Sequence, residues 1–541
     1  MLIRKKRHFG KVNIVRTLTM SIATLLISAC AAPLQKCPGD SPASEAKVYQ
    51  NPKKTSHAAV NGISELIDTR EEFHDAAFNP LAYTTQYPLY LLGIEKPRYN
   101  SGNPYPIADM AAGKESPIFK ITNLKASADD LKDIESVLDD PRPLVLTHVL
   151  NARQINSNSE TLREGCFIYN VYQDEKSVPW CKHYHPTKVE KGKKNWPSEG
   201  WRGLDQLGEE IKEAAKRENA THIIMLATGW NTVEYESFRD FSYWMKQLAK
   251  DFEGKGNFRP IFVGISWESA WPSDFWAKMP FGSWSTKGND ADAIGFTWAN
   301  YLLNDVLKPI ALNSGAEMIA IGHSFGSRIV FGAHYVRDIL IRKTQKSDTL
   351  PITLIGLQAA FPTGRFTLTE GWEHPYGATH KDSAVVVITT SSLDEATGTI
   401  GFGTAYVGGS GGLKTLDGKE EIYKSVIALP VFRTDESGQP ATAPSKNLVS
   451  VYDATPFVKC ELPDTASGAH SDVYDQEMGH FMGEVIRASS RQCSHEILSQ
   501  RARHRMWTAA RKDAAFLAYR VAMPRHCLSA RKAFSTKWRS L

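Results

Sequence analysis

From Leu144 to about Ile486 the sequence alternates short apolar runs, rich in β-branched residues, with longer runs whose apolar residues recur at helical spacing. Short runs of this kind predict buried strands, and the longer runs predict amphipathic helices. Strands and helices that alternate along a chain predict an α/β protein whose sheet is mostly parallel, with helices on both faces. The predicted helices are Leu204–Arg217, Glu234–Phe252, Ala291–Leu312 and Ser327–Lys343, and the predicted strands are Thr221–Ala227, Pro260–Ser266, Glu317–Ile321, Ile352–Leu357, Ala384–Thr389 and Leu448–Tyr452.

Composition divides the rest of the chain. Residues 30–143 are rich in Pro, Asn, Ser and Tyr, with one predicted helix at Ser127–Asp139, and we expect them to form a tether and a packing extension. The predicted organisation is therefore a signal peptide at 1–29, this extension, a main α/β domain at 144–490 and a basic tail at 491–541.

The first thirty residues have the pattern of an export signal. Residues 1–29 contain six Lys or Arg and no acid, and an apolar stretch runs from Leu18 to Ile27. The boundary Ile27-Ser28-Ala29-Cys30 resembles the lipobox of bacterial lipoproteins, in which the chain is cleaved before the Cys and its thiol is lipidated. We therefore expect a membrane-anchored protein of the bacterial cell envelope that faces the periplasm. The alternative is an ordinary secretory signal in which Cys30 has no role.

Charge is distributed unevenly along the chain. Residues 501–541 carry eleven Lys or Arg against one acid, whereas residues 30–500 carry 47 basic and 58 acidic residues, a net charge of −11. An acidic body argues against nucleic-acid binding as the main function, because phosphate affinity needs a basic surface. We interpret the basic tail as a disordered extension, with contact to anionic lipid headgroups as the alternative.

An exported protein with an even number of remaining cysteines can form disulfides. If Cys30 is lipidated, six cysteines remain. Cys166 and Cys181 flank a β-type run and a polar turn, so a bridge across a hairpin and two unpaired thiols are both open.

The pentad Gly322–Gly326 has the pattern G-x-S-x-G and lies between a predicted strand and a predicted helix. In this kind of sharp turn the serine hydroxyl is exposed and the small flanking residues avoid clashes. A second pentad, Gly408–Gly412, belongs to the glycine-rich segment Gly401–Gly412, which we predict to be a mobile insertion. The sequence therefore predicts Ser324 as a nucleophile and Ser410 as a loop residue.

The other groups that a serine nucleophile needs follow in the order Ser, Asp, His. Asp394 comes after the second predicted strand beyond the pentad, where the carboxyl end of a strand faces a crevice. His470 and His480 both follow the last predicted strand. His470 lies in a Gly, Ser and Asp loop, whereas His480 lies in a predicted helix between Met and Phe. We predict His470 as the base and Asp394 as the residue that orients it, with His480 as the rival base.

Two backbone N–H groups are predicted to bind the oxyanion. Phe325 follows the nucleophile at a helix N-terminus. Trp230 follows Gly229 in Thr228-Gly229-Trp230-Asn231, at the end of an early strand, where the glycine permits close approach to a substrate.

These motifs resemble those of the α/β-hydrolases, over about Leu144 to Ile486. They are similar to a bacterial group with an H-G-W/F-N oxyanion loop, a strand ending in S-W, a G-H-S-x-G elbow, an S-x-x-D acid loop and a late H-S-D. The chain departs from that pattern at Thr228, where the group usually has His. The resemblance implies an α/β-hydrolase fold and serine hydrolase chemistry, but no substrate. The matching segments are Gly229-Trp230-Asn231, Ser266-Trp267, Gly322–Gly326, Ser391-Ser392-Leu393-Asp394 and His470-Ser471-Asp472.

Six aromatic residues lie close together between positions 267 and 284. They predict an apolar wall or lid for an acyl chain, or core packing beneath a long loop, and the two are compatible. The six are Trp267, Trp271, Phe275, Trp276, Phe281 and Trp284.

A metal site is a weaker prediction. Cys181, His183 and His185 alternate, so an extended segment would place all three on one side. Neither a fourth ligand nor an H-E-x-x-H pattern accompanies them, and we interpret the segment as an ordinary loop without metal. The sequence also contains no phosphate-binding loop or cofactor fingerprint, so we expect no cofactor.

Together these patterns predict an exported, membrane-anchored esterase or lipase that acts on small or lipid-like esters through Ser324, His470 and Asp394. An acyltransferase with the same residues and a non-catalytic envelope scaffold are the alternatives.

Overall fold

The structure is a computed structural model of the 541-residue chain. It describes residues 75–95, 144–155, 161–172, 178–184, 196–230, 232–269, 280–341, 351–360, 365, 384–394, 397, 406–408, 431–444, 449–458 and 468–490. The predicted signal peptide, Cys30, the helix at Ser127–Asp139 and the tail at 491–541 lie outside these ranges. The chain divides into two units, residues 1–486 and 487–541, and the fold described here is that of the first.

The described strands form a large central sheet and a small one. In chain order the strands are β1 Thr84–Thr85, β2 Leu89–Glu95, β3 Val145–Asn151, β4 Arg153–Ile155, β5 Thr161–Arg163, β6 Cys166–Asn170, β7 His222–Ala227, β8 Pro260–Trp267, β9 Glu317–His323, β10 Ile352–Leu357, β11 Val385–Thr390, β12 Val431–Arg433 and β13 Val449–Asp453. Six of these strands, β7 to β11 and β13, overlap the predicted apolar runs and are almost entirely buried, as expected for strands covered by helices on both faces.

The central sheet has ten strands in the order β12-β13-β11-β10-β9-β7-β8-β2-β3-β6. Every neighbouring pair from β12 to β2 is parallel, and β3 runs antiparallel to both β2 and β6. The strands β1, β4 and β5 form the small sheet. The sheet is therefore mostly parallel, as predicted, with an antiparallel edge.

Helices cover both faces of this sheet. Alternate residues of β7 enter two different cores: Ile223 and Met225 pack in one, and Ile224 and Leu226 in the other. Helices α2 and α6 contribute to the first core, whereas α3 and α7 contribute to the second. The described helices are α1 Asp75–Phe78, α2 Trp196–Arg217, α3 Glu234–Phe252, α4 Pro280–Ile294, α5 Lys308–Ser314, α6 Gly326–Ile341 and α7 at residues 476–490.

The predicted helix at Ala291–Leu312 is part of a longer one. Helix α4 continues into α5 through two π-helical segments, Gly295–Ala299 and Leu302–Leu307, so the helical run extends from Pro280 to Ser314.

The central sheet begins earlier in the sequence than predicted. Strand β2 lies between β8 and β3, inside the segment 30–143 that we expected to be an extension. Its apolar run, Leu89–Ile94, is long enough for a buried strand, but the flanking Pro and Tyr residues are typical of a loop, so the strand was not predicted. The lower boundary of the main domain therefore lies before residue 144.

Two further expectations are decided by described residues. Cys166 and Cys181 form a disulfide that ties β6 to the segment at 178–184. Tyr406–Gly408, in the predicted mobile insertion, are buried, and the Gly408 N–H donates to the Ala359 carbonyl at 2.9 Å, so this part of the insertion is fixed by packing. The remainder, including Ser410, lies outside the described residues. None of the helices in the described ranges combines the length and hydropathy of a membrane span.

Candidate active site

Ser324 occupies a sharp turn between β9 and α6. Its φ of +53° is in the left-handed region, which is uncommon for a residue other than glycine. The flanking glycines are needed for space: a Cβ on Gly322 would lie 2.4 Å from the carbonyl oxygen of Gly326, and a Cβ on Gly326 would lie 2.2 Å from that of Ala227. The pentad thus forms the strand-to-helix turn that its sequence predicts.

Main-chain bonds hold this turn against the next strand. The N–H of Ser324 donates to the Leu357 carbonyl at 3.0 Å, and its own carbonyl accepts from the N–H groups of Ser327 and Ala360 at 3.0 and 3.2 Å. Ser327, the residue after the pentad, donates its hydroxyl to the Gly322 carbonyl at 2.9 Å. The unusual backbone conformation of Ser324 is therefore fixed from both sides.

His470 and Asp394 form a buried pair. The distance from His470 Nδ1 to Asp394 Oδ2 is 2.7 Å, and their side chains are 7% and 0% exposed. The other carboxylate oxygen of Asp394 accepts from the N–H of Thr397 at 3.2 Å. His470 lies in the short 3-10 helix Gly468–Ser471, after β13, and Asp394 follows β11. With Nδ1 bound to the carboxylate, Nε2 is the nitrogen left for proton transfer.

His323, the residue before Ser324, contacts the same histidine. Its Nε2 lies 2.8 Å from the His470 carbonyl oxygen, and the two ring centroids are 5.0 Å apart. Because a carbonyl only accepts, Nε2 of His323 carries the hydrogen. Burial, and then the neighbouring His470, lower the pKa of His323 to about 3, so this ring is neutral at physiological pH.

The rival histidine lies in a different environment. His480 is on α7, where Nδ1 is 2.7 Å from Asp251 Oδ1 and Nε2 is 3.3 Å from Gln439 Oε1. The structure therefore brings His470, and not His480, against Asp394.

The segment predicted as an oxyanion loop, Thr228–Asn231, closely approaches Ser324. A Cβ on Gly229 would lie 2.6 Å from the Cβ of Ser324 and 3.2 Å from its Oγ. Trp230 follows and is partly buried, while Asn231 lies outside the described residues. The Thr228 hydroxyl, at the position where the similar group has His, lies 2.8 Å from that of Ser237 on α3.

A cluster of buried charged side chains lies next to the ring of Phe325, the other predicted oxyanion donor. The guanidinium of Arg328 lies 5.2 Å from the centroid of the Phe325 ring. Arg328 Nη1 is 3.5 Å from Asp292 Oδ2, to which Arg365 Nη2 also donates at 3.0 Å. One carboxylate thus joins α4, α6 and the segment after β10.

Of the six clustered aromatic residues, Trp267 is buried at the end of β8, where its Nε1–H donates to the Thr228 carbonyl at 3.0 Å. Trp271, Phe275 and Trp276 lie outside the described residues, and for Phe281 and Trp284 only the backbone, in α4, is described.

Cys181 cannot supply a thiolate to a metal, because it is disulfide-bonded. His183 Nε2 lies 3.0 Å from Glu213 Oε1, and His185 is outside the described residues. Within the described ranges, no group of three or more His, Cys, Asp or Glu could hold a metal ion.

Two residues that contact the segments around Ser324 were not predicted from sequence. Gln358, at the end of β10, is fully buried at a φ of +43°, and its Oε1 accepts from the Thr389 hydroxyl at 2.9 Å. Ser269, just after β8, bonds to both main-chain groups of Thr232. Neither belongs to a local motif, because the partners of each come from another strand or loop.

No family model, no curated protein and no solved structure matches the chain.

Proposed function

We propose that the protein is a serine hydrolase of the α/β-hydrolase fold that cleaves carboxylic esters. One observation carries the proposal: Ser324, held at positive φ against Gly229, directly follows the histidine that is bonded to His470 of the buried His470–Asp394 pair. A nucleophile, a base with an orienting carboxylate and nearby N–H groups are what acyl transfer through an acyl-enzyme requires.

In the proposed reaction, Ser324 Oγ attacks the ester carbonyl carbon while its proton passes to Nε2 of His470. The oxyanion accepts hydrogen bonds from the N–H groups of Phe325 and Trp230. Collapse of the tetrahedral intermediate expels the alcohol, which takes the proton from His470. Water then attacks the acyl-enzyme, giving its proton to His470, and the carboxylic acid leaves as the proton returns to Ser324. Asp394 keeps the imidazole oriented and stabilises its charged form.

The decisive test is labelling with a fluorophosphonate probe, which reacts only with an activated serine. Wild-type protein should be labelled, Ser324→Ala should not, and Ser410→Ala, altered in the second glycine-rich pentad, should be labelled as wild type. Absence of wild-type labelling would favour the non-catalytic scaffold. A series of p-nitrophenyl esters of increasing chain length then measures the acyl preference, and added alcohols, if they divert product from acid to new ester, indicate an acyltransferase.

We also propose that Cys30 is lipidated and anchors the enzyme in the bacterial cell envelope, facing the periplasm. Support comes from the Ile27-Ser28-Ala29-Cys30 boundary. Metabolic labelling with a fatty-acid analogue should mark the wild type and not Cys30→Ser, and equal labelling of the two would contradict the anchor.

A further inference from the structure

Trp267 and Ser269, at and just after the end of β8, bond to the chain on the two sides of Trp230 in the oxyanion loop. At one end, Trp267 Nε1–H donates to the Thr228 carbonyl at 3.0 Å. At the other, the Ser269 hydroxyl accepts from the N–H of Thr232 at 2.8 Å and donates to the carbonyl of Thr232 at 2.7 Å. Trp230, whose N–H we assign to the oxyanion hole, lies between these two fixed points.

Ser269 is well suited to this task. It is fully buried, and one hydroxyl offers a single hydrogen and two lone pairs. Because this hydroxyl bonds to both the N–H and the carbonyl of Thr232, it fixes the peptide plane on each side of that residue. Rotation of either plane would leave the buried Ser269 hydroxyl without one of its partners, which is unfavourable.

Thr232 in turn acts on the peptide that carries the Trp230 N–H. Its hydroxyl lies 3.4 Å from the carbonyl oxygens of both Gly229 and Trp230, and its single hydrogen can serve either. In a trans peptide the carbonyl and the following N–H point in opposite directions. Holding the Gly229 carbonyl on the Thr232 side therefore turns the Trp230 N–H the other way.

The segment that carries Ser269 is itself fixed. The Glu268 N–H donates to the Ile94 carbonyl at 3.0 Å, and the buried Lys287 Nζ donates to the Glu268 carbonyl at 2.5 Å. Strand β2 and helix α4 thus hold the strand end from which Ser269 reaches the loop.

We propose that Ser269 is a positioning residue that sets the Trp230 N–H of the oxyanion hole through Thr232. This inference rests on the proposed serine hydrolase function. It predicts that losing the Ser269 hydroxyl weakens binding of the tetrahedral intermediate more than binding of the ester. Loss of a whole oxyanion donor costs about 100-fold to 1,000-fold in kcat, so a misoriented one should cost about 10-fold to 100-fold.

The test compares Ser269→Ala with Ser314→Ala, which removes a hydroxyl that donates to the Ile310 carbonyl at the far end of α5. Ser269→Ala should lower kcat about 10-fold to 100-fold, with KM within two-fold of wild type. Phenylboronic acid forms a tetrahedral adduct with an activated serine, and its inhibition should weaken by the same factor as kcat/KM. The pH dependence of kcat/KM should not move, because the His470–Asp394 pair is untouched. Ser314→Ala should change none of these.

If Ser269→Ala does not fold, the pair Thr232→Val and Thr232→Ser tests the same geometry. Valine removes the hydroxyl and should reproduce the kcat and boronate losses, whereas serine keeps it and should restore both. Unchanged kcat and boronate affinity in folded Ser269→Ala or Thr232→Val would overturn the positioning role. An inactive wild type that resists fluorophosphonate would instead overturn the proposed function, so the two failures are distinguishable.

Discussion

Nε2 of His323 donates a 2.8 Å hydrogen bond to the main-chain carbonyl of His470, across 147 residues of sequence. The residue before the nucleophile therefore holds the backbone of the residue assigned as the base. Burial lowers the pKa of His323 to about 3, so at physiological pH this bond places no positive charge beside His470.

A second set of contacts fixes the chain just beyond the base. Trp244 Nε1–H on α3 donates to the Val473 carbonyl at 3.0 Å, and the Tyr474 hydroxyl donates to Asp240 Oδ2 at 2.9 Å. Helix α3 begins directly after the oxyanion loop, so one helix contacts two parts of the proposed site.

The assignment of the base is tested by parallel substitutions. Ser324→Ala and His470→Ala should each lower kcat by several orders of magnitude, up to about 10⁶, while Asp394→Ala should cost less because Asp394 acts only through the imidazole. Combining the changes should add little, since the groups act as a unit. The measurement is steady-state kinetics on a p-nitrophenyl ester, with folding checked by circular dichroism.

His480→Ala is the matched control, because His480 also pairs with a carboxylate, but with that of Asp251 instead of Asp394. It should keep near-normal kcat. The opposite pattern, with His470→Ala active and His480→Ala inactive, would show that the base is His480.

Asp475 should make the fold less stable as the pH rises. Burial, opposed in part by the bond from the Met478 N–H, raises its pKa to about 7. The folded protein then holds a proton that the unfolded chain releases above about pH 4, so this residue's contribution to stability is lost between about pH 4 and pH 7. Asp475→Asn keeps the cap acceptor and removes the charge, so its melting temperature should exceed that of wild type at pH 8 and match it near pH 4.

Asp475→Ala separates the cap from the charge. It removes the acceptor at the start of α7 and should lose about 1 kcal/mol at pH 4, where Asp475 is protonated in the folded protein. An Asp475→Asn variant whose stability falls with pH as steeply as that of wild type would contradict the proposed origin of the effect.

The disulfide should contribute measurably to stability. Closing a loop of 15 residues removes conformational freedom from the unfolded chain, which corresponds to about 3 kcal/mol. Chemical denaturation should show that loss in a Cys166→Ser, Cys181→Ser double variant, and reductant should destabilise wild type while leaving the variant unchanged. Equal sensitivity of the two proteins to reductant would count against the bond.

Local patterns predicted much of the fold. The predicted bounds Glu234–Phe252 and Ile352–Leu357 are those of α3 and β10. Apolar residues at helical spacing identify α3, and a short continuous apolar run identifies β10. Strand β2 was missed because its neighbours in the sheet, β8 and β3, lie far along the chain, and its own flanks favour a loop.

The same limit applies to the site. Ser324, Asp394 and His470 could be selected because their residue types and their order along the chain match a known chemical need. The bonding of Ser269 to Thr232 and the strained φ of Gln358 leave no trace in the local sequence, since both arise where separate strands end at the same edge of the sheet. The disulfide, too, needed the geometry to choose between two open alternatives.

Gly326 gives the sharpest test of the turn. In most helices, replacing glycine by alanine stabilises by up to about 1 kcal/mol, because glycine has more freedom to lose. Here the new Cβ would lie 2.2 Å from the Ala227 carbonyl oxygen, a main-chain atom that can move only if β7 separates from α6. Gly229 follows β7 by two residues, and Ser324 precedes α6 by two residues. Gly326→Ala should therefore lose about 1 to 3 kcal/mol in its free energy of unfolding and most of its kcat.

Gly208→Ala on α2 is the control, because its Cβ would meet only the Val306 side chain, at 3.2 Å. Its free energy of unfolding should stay within about 1 kcal/mol of wild type, and its kcat should be normal. Urea denaturation and ester hydrolysis measure both effects, and a Gly326→Ala variant as stable and active as wild type would mean that the nucleophile turn is not packed against the oxyanion loop as described.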